Sequence, residues 1–382
     1  MEKSKSAVAF SKTDSMCIKG IAIFMLMCIH CFGSASRFEG YDFVFWPFDE
    51  KTFIQLAYYC KSCVSIFAFI SGYGLYLSAR KNTGSINDTN KWMLSRYFKT
   101  MGGFWFVYVI AFAIFFFYKE VPQGIFFKDG IVRGTVYVLL DFLGVAKMFG
   151  TPRLNDSLWY MSAALIFVMF VPLLIKLTDK IGWISSFAVV FIFPRLLIYN
   201  EFPGVINTYS FMTAVFFGAL FARFDIFKKI DEFKLVKNKN LNEIVLFVIG
   251  VIGLFASIYI WIRVPYKILW EYHFGVAPVI LIVFCNRFIF VREGIVRRGI
   301  SGIFAFLGKY SMNIFLFHTF YREYLLKDFL FGMKYPILTV VSLLLISLVT
   351  SIVFEFMKKV IKYNDFVSFL EKKALSLFPA SN

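Results

Sequence analysis

Only three histidines, His30, His273 and His318, are available in this 382-residue chain for acid–base chemistry near neutral pH. His30 is set apart by Lys19, eleven residues before it in one apolar segment, Cys17 to Ala35. In an α-helix, eleven steps of about 100° make three turns plus about 20°, so both side chains project from one face, roughly 16 Å apart along the axis. A neutral imidazole can take the proton of a hydroxyl. An ammonium can hold a phosphate as a point charge. Ionisable residues inside a membrane segment are costly and by default functional. The spacing therefore reads as one helix carrying a cation at one membrane boundary and a base beyond the midplane.

Arg96 and Lys99 precede the third apolar segment at positions i and i+3 and face the same way. They read either as anchors at the membrane boundary or, with Lys19, as a clamp for a pyrophosphate or 3′-phosphate. His273 reads as a packing residue bonded to a neighbouring helix. Cys28-x-x-Cys31 and Cys60-x-x-Cys63 have zinc-ligand spacing, but they sit inside apolar helices and read as small buried side chains, so no metal site is expected. Ser71-Gly72-Tyr73-Gly74 reads as close helix packing. No Gly-rich phosphate loop followed by Lys-Ser or Lys-Thr occurs, which leaves a nucleotide-driven pump unsupported.

The elements that must position these residues are membrane helices. The chain is 59% hydrophobic, contains 52 Phe and is only 17% charged, a balance too apolar for a soluble globular protein. Its formal charge of +17 lies in short loops between apolar segments, as the positive-inside rule places it, so nucleic acid is not an expected partner. The first segment is too late and too long for a cleavable signal and reads as a retained helix.

Ten segments are long enough to span, or nearly so: 18–36, 54–78, 100–118, 157–176, 181–199, 205–222, 243–262, 272–288, 302–320 and 335–357. An eleventh, 134–149, is interrupted by Asp141 and Lys147. If it does not span, the basic loops Arg223 to Lys239 and Arg287 to Arg298 and the tail with Lys358, Lys359 and Lys362 fall on the same side as the N-terminal Lys3, Lys5 and Lys12. The acidic loop with Glu39, Asp42, Asp49 and Glu50 then lies opposite. We therefore expect an all-α polytopic membrane protein with about ten transmembrane helices, 134–149 as an outward-side re-entrant or interfacial helix, and both termini cytosolic. The expected divisions are a cytosolic segment 1–17, a membrane domain 18–357 and a cytosolic tail 358–382.

Five signatures in order give the chain its resemblance to a known family. Asp14-x4-Lys19-Gly20-Ile21-Ala22 with His30 beyond it, Val64-Ser-Ile-Phe-Ala-Phe-Ile-Ser-Gly-Tyr73, Arg96-x-x-Lys99, Asn155-Asp-Ser-Leu-Trp159-Tyr-Met-Ser162 and Leu307-Gly-Lys-Tyr-Ser311 through His318 together resemble the acyltransferase-3 family of bacterial membrane acyltransferases. The resemblance runs from about residue 10 to residue 356. It implies transfer of an acyl group, commonly acetyl from acetyl-CoA, to a hydroxyl of a cell-surface or exported glycan, in the bacterial cytoplasmic membrane.

On that reading His30 is the general base or a transient acyl carrier, and Lys19, Arg96 and Lys99 hold the donor phosphates. Asn155, Asp156, Trp159 and His318 are candidates for shaping the acceptor site. No tightly bound cofactor is expected. The partners would be acyl-CoA as donor substrate, a glycan or glycolipid acceptor, and membrane lipid. A pantetheine arm is comparable in length to the ~16 Å between Lys19 and His30, so a thioester could reach the imidazole while the charged headgroup stays in water. Lys19 and Lys99 stand where the family more often has Arg, which keeps the charge but removes the bidentate fork. The fused esterase-like domain of some members is not expected here. The competing reading is a transporter or flippase for a small or lipid-linked solute, since ten helices with buried polar residues fit that class too.

Overall fold

The computed structural model describes residues 10–118, 120–198, 206–265, 268–290 and 295–378. Lys3 and Lys5, counted above in the N-terminal charge, lie outside the described residues. All regular structure among the described residues is helical. In chain order the helices are α1 (Lys12–Phe32), α2 (Glu50–Asn82), α3 (Ile86–Tyr118), α4 (Ile131–Phe142), α5 (Trp159–Ile181), α6 (Trp183–Arg195), α7 (Thr208–Phe224), α8 (Ile226–Glu232), α9 (Lys239–Arg263), α10 (Tyr272–Ile289), α11 (Arg298–Leu325), α12 (Pro336–Val360) and α13 (Tyr363–Leu375).

Among the described residues eight helices are long and apolar enough to cross a membrane, or nine if α7 and α8 count as one bent span. The sequence suggests ten. The difference lies at α6, too short to count, and at α7, whose axis breaks by 64° where Asp225 adopts a left-handed conformation with φ 50°. Beyond α6, residues 199–205 lie outside the described set. The interrupted segment 134–149 forms only the latter part of the twelve-residue α4 followed by turns, and α4, at about 18 Å, is too short to span.

The chain divides into two compact units. The first comprises Met1–Leu26, Gln55–Leu77 and Ile181–Lys309. Here small residues let helix backbones meet, the usual packing device of membrane helices. A Cβ on Gly20 would lie 2.0 Å from the Phe304 carbonyl oxygen, and one on Gly308 would lie 1.8 Å from that of Met16, so α1 and α11 touch backbone to backbone. Gly72, from the Ser-Gly-Tyr-Gly stretch, meets the Val215 backbone in the same way, in keeping with its packing role. His273 is buried, its Nδ1 2.7 Å from the Leu269 carbonyl and its Nε2 3.3 Å from that of Trp261, as expected for a structural histidine.

The second unit comprises Met27–Ile54, Ser78–Lys180 and Tyr310–Asn382. Its core is aromatic: Phe104, Phe115, Phe126, Phe317, Phe320 and Phe354 are all buried, with Phe115 stacked on Phe320 at 4.6 Å. α3 begins at a capping box in which Ser85 Oγ donates to Asp88 at 2.7 Å and accepts from the Asp88 N–H at 3.1 Å, satisfying orphan donors of the first turn. The segment expected as a tail contains α13, which lies on α3. Tyr363 Oη donates to the Gly102 carbonyl at 2.9 Å, and a Cβ on Gly102 would meet Val367 at 2.9 Å.

Candidate active site

α1 starts from its own capping box, Ser11 with Asp14, and runs without interruption to Phe32. The eleven-residue offset between Lys19 and His30 is therefore a true helical offset, and both side chains lie on one face. His30 is half-buried near the C-terminal end of α1.

Against it stands His318. The α11 turn that carries His318 is held by Phe317 and Phe320 in the aromatic core, which turns the imidazole away from that core. His318 Nε2 lies 3.0 Å from His30 Nδ1, with ring centroids 4.7 Å apart and planes inclined at 59°. His318 Nδ1 faces the carbonyl oxygens of Phe315 at 2.8 Å and Ile314 at 3.2 Å. A carbonyl can only accept, so Nδ1 of His318 carries the proton and its Nε2 is the acceptor when the ring is neutral. His30 Nδ1 must then donate to it, which leaves the lone pair of a neutral His30 on Nε2. His318 is completely buried, so of the two rings only His30 retains access.

The chain of hydrogen bonds continues. Thr319 Oγ1 lies 3.3 Å from His318 Nε2 and 2.7 Å from Ser157 Oγ. Ser157 belongs to a short 3-10 turn capped by Asn155, whose Oδ1 accepts from the Ser157 N–H at 2.9 Å. The Asn155–Trp159 turn is thus joined to the histidine pair through Ser157 and Thr319. Asn155 is buried, whereas the Asp156 side chain is fully exposed and 3.4 Å from Arg153. Trp159 opens α5 and is half-buried. His318, a candidate for shaping the acceptor site together with Asn155, Asp156 and Trp159, also bonds directly to His30. Immediately before this turn, Leu154 N–H donates to the buried Asp141 at 2.7 Å. Asp141 lies on the non-spanning α4, and burial pushes its carboxyl up to about 7.

The cations are placed as follows. Lys19 is half-buried and forms no ion pair among the described residues. Arg96 donates to Ser78 Oγ and sits 5.7 Å over the Trp92 ring. Lys99, 57% exposed, lies 3.9 Å from Glu371 of α13, which also accepts from Ser95 Oγ at 2.6 Å. Arg96 and Lys99 therefore flank a carboxylate supplied by α13, a partner that the Arg-x-x-Lys spacing alone does not reveal. No disulfide joins the six cysteines, and no group of three or more His, Cys, Asp or Glu residues arranged for a metal occurs among the described residues.

The sequence pattern of the acyltransferase-3 family, an acyltransferase domain, matches residues 16–356. The chain belongs to the acyltransferase-3 family. No curated protein and no solved structure matches it. The match contains every candidate residue named above and ends before α13. This acyltransferase, with its eight or nine candidate spans, is a multi-pass membrane protein.

Four residues that bond around the His30–His318 pair or the end of α1 escape the sequence reading. Ser157 stands inside the Asn155–Trp159 signature but looks like a helix-start residue. Thr319 follows His318. Arg322 lies four residues after His318, on the same helical face, and that i, i+4 spacing was the available signal. Arg37 sits in the turn after α1, and no spacing rule marks it.

Proposed function

We propose that this protein is a membrane O-acyltransferase that moves an acyl group, commonly acetyl, from cytosolic acyl-CoA to a hydroxyl of a cell-surface or exported glycan. The observation that carries this reading is the His30–His318 pair, whose hydrogen bonds leave the basic nitrogen on the accessible ring. The acceptor oxygen attacks the thioester carbonyl carbon while its proton passes to His30 Nε2. The imidazolium so formed is stabilised by the His318 Nε2 lone pair. Collapse of the tetrahedral intermediate breaks the carbon–sulfur bond, and the proton returns to the CoA thiolate.

Lys19, Arg96 and Lys99 hold the CoA phosphates in this scheme, with the N-terminus in the cytosol as the basic loops favour. At Lys99 a donor phosphate would compete with Glu371. The host membrane on this reading is the bacterial cytoplasmic membrane.

The test is transfer of label from [14C]acetyl-CoA to surface glycan in membranes carrying wild type or His30→Ala. Wild type should label the glycan, and the mutant should lose about a hundredfold or more of the rate while still inserting. Label that never becomes covalent on a hydroxyl compound in wild type would favour a transport role.

A further inference from the structure

Two guanidinium groups converge on the end of α1 that carries His30. Arg37, in the short turn Ala35–Arg37, donates through Nη1 to the Ile29 carbonyl. Arg322, in the π-helical turn Tyr321–Leu325, donates through Nη1 to the His30 carbonyl at 3.0 Å and through Nη2 to Glu323.

Closing the last carbonyls of a helix with a cation is ordinary. Two like charges gathered at one half-buried helix end are not, because each is costly to desolvate and they repel one another. Glu323 pairs with Arg322 and its charge also reaches Arg37, so among the described residues one carboxylate faces two guanidiniums. The Nε of Arg322 is buried without a hydrogen-bond partner. The cluster therefore holds one positive charge more than it neutralises, with guanidinium donors left over, against the residue assigned as the base. Both carbonyls that would repel an anion are already occupied by these same guanidiniums.

We propose that Arg37 and Arg322 form an anion-recognition site beside His30 that takes the carboxylate or phosphate of an acidic glycan acceptor, so that the enzyme selects acidic over neutral sugars. The proposal rests on His30 serving acyl transfer to a glycan. Guanidinium geometry suits both groups, through paired N–H donors.

Calorimetry on the full-length protein in detergent or nanodiscs tests it, with D-glucuronate, glucose 1-phosphate and glucose as probes. At least one acidic sugar should bind about tenfold or more tightly than glucose, and the order of the two acids identifies carboxylate or phosphate as the preferred group. Arg37→Gln should weaken that binding about tenfold, and Arg37→Lys should recover part of it. His30→Ala should leave binding in place, so loss of transfer in that variant and loss of acid binding in Arg37→Gln report on separate readings. Equal affinity for glucose and both acids, absence of acid binding in wild type, or unchanged binding in Arg37→Gln would each overturn the site.

Discussion

His318 Nε2 accepts from His30 Nδ1 across 3.0 Å, and the far side of the His318 ring is fixed on the Phe315 carbonyl. One buried ring thus sets the tautomer of an accessible one. In the proposed transfer His318 is accordingly a positioning residue, acting on the proton through His30.

His318→Ala should lower kcat by about a hundredfold with little change in KM for acyl-CoA, because it removes orientation and charge stabilisation from the base without touching the donor cations. His318→Gln, with an amide oxygen able to accept from His30 Nδ1, should recover part of the rate. The check is steady-state kinetics with a pH–rate profile, whose acidic limb should move in His318→Ala. Wild-type kcat in that variant would separate the two histidines functionally.

Neutralising Lys19 or Arg96 should weaken acyl-CoA binding by roughly ten- to a hundredfold, the worth of a lost charge-assisted hydrogen bond of about 1.5–3 kcal/mol. Lys19→Arg should retain function. Glu371→Gln should tighten donor binding a few-fold, since it frees the exposed Lys99 from a mostly buried carboxylate. Calorimetry with acyl-CoA on purified protein reads all four variants, and unchanged affinity in both neutral variants would leave these cations as membrane-boundary anchors.

Asp141 gives the fold a pH dependence with a definite sign. Its folded pKa of about 7 lies above the ordinary carboxylate value of 3.8, so between about pH 4 and about pH 7 an unfolded chain ionises while the folded one keeps the proton. Its contribution to stability is greatest below that window and declines as pH rises through it. Asp141→Asn keeps an acceptor for the Leu154 N–H and removes the titration, so its Tm should vary less from pH 4 to pH 8. Identical slopes in the two proteins would show that burial does not hold this carboxyl protonated.

Sidedness follows from the basic loops. A cysteine introduced at Lys237 should be labelled from the cytosolic side only, and one at Asp42 from the external side only, by an impermeant maleimide in a variant lacking native thiols. The reverse pattern would invert the orientation.

The helical class and nearly all the spans were legible in the sequence because apolar length is a one-dimensional property. The Lys19–His30 relation was legible for the same reason: both residues belong to one uninterrupted helix. The His30–His318 contact was not, since 288 residues separate the two rings and helix periodicity is silent about which helices adjoin. Glu371 escaped because α13 is amphipathic and too polar to read as a membrane element. The break at Asp225 escaped because a left-handed residue other than glycine leaves little trace in composition.

The unbroken course of α1 has a consequence for the kinds of change this chain can absorb. Substitutions at its apolar positions alter packing locally, but adding or deleting a single residue between Lys19 and His30 turns one side chain by about 100° against the other and shifts it by about 1.5 Å. A one-residue insertion would carry the imidazole off the face it shares with the ammonium while leaving hydrophobicity almost untouched. Variation in α1 is thus constrained by phase, and length polymorphism, harmless in most loops, is the lesion to which this segment is most exposed.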